Sequence, residues 1–382
     1  MKSILVLSPY YLPGFRAGGP IRSIANLVSE YSSQASFYIV TFNFDYLQPK
    51  YKNITPNQWI QVDRASVFYL DFSAFGLIKL FKSLKSLNPS VLYINSFFNP
   101  LFSLLPLLLL HILRCFGASL PLIVLAPRGE LHIGALSLKS FKKTLFLSFT
   151  RAFRLHRICR FQATSPAEAR SIQVALPYVN TSSIYICSNI GSMKLSSFCP
   201  LFSSSLSLRI CTISRICKVK NILFSLSVLS QLDFLVYFDI YGPIDDNSYW
   251  MKCQEFISKL PSNIVVNYLG PISSNNVCKC IANYDLFFMP SLSENFGHSI
   301  LEALSASVPV LTSDQTPWDF MNSARAGWVL SLHDPSKFVN VLREYYARDS
   351  VARNIYRKNA YMLAFSHFQS SLKDYDYLFS VT

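Results

Sequence analysis

One stretch limits the possible folds more than any other, the 25 residues from Pro290 to Asp314 together with the apolar run Leu286-Phe-Phe-Met289 before them. That run has the length and character of a buried parallel strand. A turn rich in Ser, Asn and Gly follows, then a helix expected from about Phe296 to Ala306, then a second apolar run at Val308–Leu311. Strand, loop, helix and strand in that order make the repeating unit of a doubly wound α/β sheet. Ligands of such sheets sit where strands end and helices begin, because the first helical N–H groups have no acceptor within the helix. Here that position holds Glu294 in the loop and the backbone of Phe296, Gly297, His298 and Ser299.

Glu302 lies eight residues after Glu294, about two turns into the expected helix. Two carboxylates beside helix-start donors suit a ligand with both hydroxyls and phosphates, since carboxylates accept from hydroxyls and N–H groups donate to anionic oxygens. A sugar nucleotide has both. From spacing alone, an ordinary βαβ unit with two surface glutamates fits equally well.

The wider stretch is more specific. Ser291 to Pro309 resembles the signature of the retaining family 4 (group 1) glycosyltransferases, in which a Glu is followed by a second Glu after seven intervening residues. Pro290-Ser291, Asn295-Phe296-Gly297, Pro309-Val310 and Thr316-Pro317-Trp318 extend the match. Ser307 departs from it, standing where the family usually has Gly at a helix end, a change expected to cost local stability rather than chemistry.

The resemblance covers most of the chain and is strongest from Leu208 to Trp318. It implies two facing Rossmann-like α/β domains of the GT-B type, a cleft between them, and a C-terminal helix crossing back. The expected boundaries are an acceptor-binding domain at 1–190, a linker at 191–207 with seven serines between Ser192 and Ser207, a nucleotide-sugar domain at 208–362, and the returning helix at 363–382.

Three further segments carry candidate site residues. Ile4–Ser8 reads as a central strand, and Pro20 fits the first turn of a helix to about Ser32. Gly18 and Gly19 therefore lie at a strand-to-helix turn, where the missing Cβ lets backbone approach a ligand; this resembles the family's glycine loop, with a structural tight turn as the rival. Ala126-Pro-Arg-Gly-Glu130 follows a strand and opens a loop. Arg128 is expected there as a cation facing acceptor or phosphate, with a loop salt bridge as the alternative. The roles of Glu130 and His132 stay open, in a place where many relatives carry a His. In the second half, Leu208–Ile213 reads as a strand leading to Arg215 and Lys220 ahead of a helix beginning near Asn221. This resembles the family's Arg-then-Lys element, whose cations hold the donor diphosphate.

The resemblance implies transfer of a sugar from a nucleotide diphosphate sugar to a saccharide or lipid-linked acceptor with retention of configuration, in cell-surface polysaccharide synthesis. Arg215, Lys220 and the helix start would stabilise the leaving diphosphate in place of a metal, so no cofactor and no metal are expected. Glu294 would hold sugar hydroxyls and Glu302 the nucleotide ribose. A sugar-nucleotide epimerase or phosphorylase of the same fold, and a non-catalytic membrane scaffold, are the alternatives.

Composition bears on the partners. A net charge of +14 calls for an anionic partner: nucleic acid, an anionic membrane or a phosphorylated substrate. No Arg-rich tail or RNA-binding signature is present, so nucleic acid is not expected. Residues 139–160 are the most basic stretch, with Lys139, Lys142, Lys143, Arg151, Arg154, Arg157 and Arg160 interleaved with Phe and Leu, a composition suited to an anionic membrane surface. The apolar run 97–113 is broken by Pro100 and Pro106 and is expected as a buried helix of the first domain rather than a span of about 20 residues. Nine scattered cysteines without a C-x-x-C suggest reduced thiols, and Met1–Ser8 is too short for a signal peptide. The expected location is cytoplasmic, peripheral at the inner face of the plasma membrane. After Trp318 the chain is expected to be largely helical, at Pro335–Ala347, about Ser350–Ala364 and Ser366–Leu378, and Asp374-Tyr-Asp376 in the last of these is expected to be helix charge rather than a metal motif.

Overall fold

The computed structural model describes residues 2–85, 87–137, 140–191, 197–200 and 206–380. The chain divides into two compact units, one of 1–190 with 370–382, the other of 191–369. Lys139 and most of the expected linker (192–196 and 201–205) lie outside the described residues.

The first unit opens with β1 (Lys2–Leu7), α1 (Gly19–Tyr31), β2 (Ala35–Phe42), β3 (Trp59–Val62), β4 (Ala65–Leu70), α2 (Ala74–Lys85) and β5 (Val91–Ile94). It continues with α3 (Leu105–Cys115), β6 (Leu122–Leu125), α4 (Ile133–Ser137), α5 (Ser140–Ala152), β7 (Cys159–Ala163), α6 (Pro166–Ala175) and β8 (Ile184–Ile186). Its sheet runs β3-β4-β2-β1-β5-β6-β7-β8, parallel except for the β3–β4 pair. The strands β5 and β6, and β1 after its first two residues, are apolar because both their faces are covered by helices.

The second unit follows with β9 (Ser207–Ile213), α7 (Ile222–Leu229), β10 (Leu235–Tyr241), α8 (Asn247–Ile257), β11 (Ile264–Gly270), α9 (Val277–Ile281) and β12 (Leu286–Met289). After these come α10 (His298–Ser305), β13 (Val310–Ser313), α11 (Met321–Ala324), β14 (Gly327–Leu330), α12 (Pro335–Ala347) and α13 (Ser350–Leu378). Its sheet is fully parallel in the order β11-β10-β9-β12-β13-β14, the doubly wound order in which the chain reverses direction across the sheet between β9 and β12. In the first unit the same reversal falls between β1 and β5.

Four expectations are corrected. The helix after Glu294 begins at His298, not Phe296, so Glu302 is its fifth residue, little more than one turn in. The region after Trp318 also contains β14, whose Gly327 packs so tightly on β13 that an added Cβ would lie 2.2 Å from the Val310 carbonyl oxygen. The final segment is one helix of 29 residues rather than two. Its Arg357, fully buried, donates to the backbone oxygens of Cys199, Ala282 and Tyr284, which holds the helix on the second unit before its last residues join the first. The run 97–113 is a π-helical turn at Pro100–Leu104 followed by α3, which is buried on one face only: Leu107 lies in the core, while Leu105, Leu109, Ile112 and Leu113 are exposed. No described helix is long and apolar enough to cross a membrane.

Candidate active site

In the second unit the loops after β9 and β12 leave neighbouring strands at the reversal point and are tied together. The Asn221 side chain donates to the Pro290 carbonyl at 3.1 Å, and Leu292 N–H to the Val219 carbonyl at 2.8 Å. Between these two links the Lys220 ammonium forms an ion pair with the Glu294 carboxylate, their side chains 16% and 12% exposed. Ser291 Oγ also donates to Glu294, and Glu294 N–H donates to the Gln315 carbonyl in the loop after β13. Glu294 is thereby fixed by three successive strand ends.

Arg215 leaves β9 at the same edge of the sheet, but its guanidinium meets Asp245 at 2.9 Å, and both side chains are well exposed. The structure thus brings Lys220 to Glu294 and puts Arg215 on a surface partner. An exposed pair of this kind is worth little, so it holds Arg215 only weakly. The backbone around Arg215 is more tightly set: Gly242, at φ +134°, lies against Ser214, and an added Cβ would sit 1.8 Å from the Ser214 oxygen.

The start of α10 lies just behind Glu294. Gly297 caps it in the left-handed region at φ 81°, which favours glycine. The Phe296 ring is buried against Trp318 and His367, and the Trp318 indole N–H donates to the Phe296 carbonyl. Phe296 therefore anchors the turn, and only its backbone could meet a ligand. Ser299 turns its hydroxyl back to Met289 Sδ at 3.4 Å, while His298 and Glu302 are half-buried on the helix. Burial among the rings lowers the His367 pKa to about 4, so that imidazole is neutral near pH 7.

Ser307 takes the left-handed conformation, φ 61°, in which glycine is favoured, and its hydroxyl accepts from Cys199 N–H at 3.1 Å. Asp285 pairs inside the unit, accepting from Arg209 N–H and lying 3.6 Å from Arg353.

In the first unit, Gly18 (φ 69°) is the N-cap of α1 and Gly19 its first residue, at the end of β1. The loop is pinned by Asp45, whose carboxylate accepts from the N–H groups of Phe15, Arg16 and Tyr46. Asn95, just after β5, donates to Ser8 Oγ and the Pro20 carbonyl and so joins the two strands at their reversal point.

Arg128 is held by partners within its own unit. Its guanidinium turns inward, donating to Asn95, to Asn189 and to the Tyr93 hydroxyl, because a cation half-buried beside buried amides is stabilised by satisfying them. Glu130 is likewise held within the unit. It accepts from Ser96 Oγ and from the N–H groups of Phe97 and Phe98, and burial raises its pKa above the usual carboxylate value. His132 Nδ1 meets Ser171 Oγ at 3.0 Å.

The sequence reading missed Asp45 and Asn95, and gave no loop-holding role to Ser291 or Asn221, all four of which hold the loops in place. It also missed Glu168, which accepts from Gly129 N–H and from Thr164. Ser165-x-x-Glu168 is the capping-box spacing and marks the start of α6 in the sequence; no local pattern marks Asp45 or Asn95. Asp376 accepts from the Tyr31 hydroxyl within the first unit, so the Asp-x-Asp pair is helix charge. Among the described residues no group of three or more His, Cys, Asp and Glu could hold a metal ion.

With this geometry in view, residues 205–362 match the family model of Glycosyl transferases group 1. This stretch is a group 1 glycosyltransferase domain. A curated relative, the UDP-N-acetylglucosamine--peptide N-acetylglucosaminyltransferase GtfA subunit of Streptococcus agalactiae, is 27% identical over 106 residues, 27% of this chain. The match spans about a fifth (20%) of that relative's length. Among solved structures, Anabaena HepE in complex with UDP-glucose is similar over 100% of both chains, with a TM-score of 0.72 at 15% identity. WaaG, a glycosyltransferase involved in lipopolysaccharide biosynthesis, is similar over 100% of both chains, with a TM-score of 0.64 at 13% identity. At these identities the structures establish the fold: two parallel-sheet units of the GT-B kind, of which the group 1 domain lies within the second.

Proposed function

We propose that the chain is a retaining glycosyltransferase that moves a sugar from a nucleotide diphosphate sugar to a saccharide or lipid-linked acceptor in cell-surface polysaccharide synthesis. The observation that carries this reading is the pairing of Lys220 with Glu294 at the reversal point of the group 1 domain, beside the start of α10. Structurally similar HepE binds UDP-glucose, which makes a uridine donor the first to test.

In the reaction, an acceptor hydroxyl attacks the anomeric carbon from the face the diphosphate leaves. The bond from that carbon to the β-phosphate oxygen breaks, and the hydroxyl proton passes to a phosphate oxygen. The chain's task is to stabilise charge as it develops on the diphosphate. Lys220 and the N–H groups at the start of α10 act there, and Arg215 joins by exchanging Asp245 for phosphate. A bound donor divides the Lys220–Glu294 pair between its two ends: the ammonium goes to the diphosphate and the carboxylate to sugar hydroxyls. Glu302 takes the ribose, and Gly18 and Gly19 offer backbone to the acceptor side.

The test is a binding screen with UDP, GDP and ADP sugars, then turnover on lipid-linked saccharides. Lys220→Ala and Glu294→Gln are each expected to lower kcat about 10²–10³-fold with the fold intact by circular dichroism. Rates like the wild type in either variant would remove that residue from the site.

A further inference from the structure

We propose that the outer faces of α2, α3 and α5 form one docking surface for an anionic lipid bilayer. The proposal deepens the transferase reading, on which it rests for its purpose, by saying how the first unit would meet a lipid-anchored acceptor.

The three helices cover the same face of the first sheet. Their inner residues, Leu80 of α2, Leu107 of α3 and Leu147 of α5, pack into one core with Leu5, Leu92 and Ile123 of the strands. Their opposite faces should then be polar, as on any helix that covers a sheet. They are not. On α5 and the residue after it, Phe141, Leu145, Phe149 and Phe153 recur every fourth position and are 39–81% exposed. On α3, Leu105, Leu109 and Ile112 form a second exposed row that ends in Phe116, 84% exposed. On α2, Phe75, Ile78 and Phe81 form a third. Single exposed apolar side chains are ordinary, but three rows on helices covering one face mark an interaction surface.

The charges identify the partner. Between Asp71 and Glu168 the chain has twelve Lys and Arg and a single acid, Glu130, which is held by backbone N–H groups at the base of a loop. Lys79 and Lys82 on α2, Arg114 on α3, and Lys142, Arg154 and Arg157 in and after α5 are exposed. Bulky apolar side chains among cations, with no exposed acid, match the headgroup boundary of an anionic bilayer, where the rings enter the acyl edge and the cations stay with phosphate. With no described helix suited to span, the surface would lie on the membrane.

The test is co-sedimentation of the full chain with vesicles of phosphatidylcholine alone and of phosphatidylcholine mixed with phosphatidylglycerol. The mixed vesicles are expected to bind at least about tenfold more tightly, with the preference falling as salt is added. Phe141→Ser combined with Leu145→Ser should lower that binding about tenfold or more, with circular dichroism and nucleotide binding unchanged. Arg154→Ser with Arg157→Ser should reduce the anionic preference alone. Equal binding by wild type and the Phe141/Leu145 variant, or no sedimentation with either vesicle, overturns the proposal. So does a stable self-association that the same variant abolishes, which would assign the face to a second copy of the chain. Vesicle binding without sugar transfer would leave this surface standing and remove the transferase reading; transfer to a soluble acceptor without vesicle binding would do the reverse.

Discussion

At the scale of single residues, the pair of Lys220 and Glu294 invites a distinction between stability and chemistry. Both side chains are largely withdrawn from water, so removing one leaves the other charged and poorly solvated. Lys220→Ala alone should cost about 1–3 kcal/mol of stability, the range for a hydrogen bond to a charged group. Adding Glu294→Gln should recover part of that loss, because the orphaned charge is gone. Turnover should not recover. Denaturant unfolding of the two single variants and the double variant would show the stability coupling, and kinetics would show the single and double variants alike in their inactivity. Coupled recovery of both quantities would make the pair merely structural. Ser307 offers a second contrast. Glycine there relieves the left-handed backbone but loses the hydroxyl that accepts from Cys199 N–H, two effects of about 1 kcal/mol and opposite sign. Ser307→Ala keeps the strain and loses the bond, and should be less stable than Ser307→Gly by about 1 kcal/mol in chemical denaturation.

At the scale of elements, the parts of the chain that were legible from sequence share a cause. Strand β12 is a continuous apolar run and helix α10 has an amphipathic pattern, and a doubly wound unit leaves few ways to arrange them. Gly18, Gly19 and Gly297 lie at helix starts for the backbone reasons that mark them in sequence. What was not legible depends on contacts far along the chain. Arg128 reads as a loop cation, yet Asn189, 61 residues later, and Asn95, 33 residues earlier, turn it inward. The apolar run containing α3 reads as buried because hydrophobicity alone does not report a partnerless face. Strand β14 was hidden because it is only four residues long and opens on a glycine, which its close approach to β13 requires. Buried histidines give a prediction at this scale. His156, stacked on Phe97 in the turn at Leu155–Ile158, has its pKa lowered to about 3 by burial, and His367 on α13 to about 4. An unfolded histidine titrates near 6.5, so below that pH the unfolded chain binds protons the folded one refuses. Stability should therefore fall as pH drops from about 6.5 towards 4, by up to ~1.4 kcal/mol per pH unit for each histidine. Urea unfolding from pH 7 to pH 4.5 would measure it, and His156→Gln should flatten the slope by one proton.

At the scale of the whole molecule, the assignment of 370–382 to the first unit makes that unit's stability depend on the far end of the chain. Tyr375, Leu378 and Phe379 are fully buried there, and Tyr31 and Phe379 meet edge to face at 5.7 Å. Tyr375 accepts from Gln162, and Asp376 accepts from Tyr31. Each buried apolar side chain contributes about 1.5–3 kcal/mol, so three of them weigh against a domain stability of only about 5–15 kcal/mol. A chain ending at Gln369 should therefore lose or greatly weaken the folding of the first unit. The second unit, complete at 191–369, keeps its own cores and the Lys220–Glu294 pair. Calorimetry should show the transition of the first unit lowered or absent in the truncated chain. The transition of the second should remain and should rise when a nucleotide diphosphate sugar is added, by about 2.7 kcal/mol at a hundredfold excess over its Kd. The order of events matters for what the experiment decides. Nucleotide stabilisation that survives truncation would locate donor binding in the group 1 domain by itself. Stabilisation lost together with the first unit would mean that the donor needs residues outside 191–369, and the role given to the Lys220–Glu294 mouth would have to be shared.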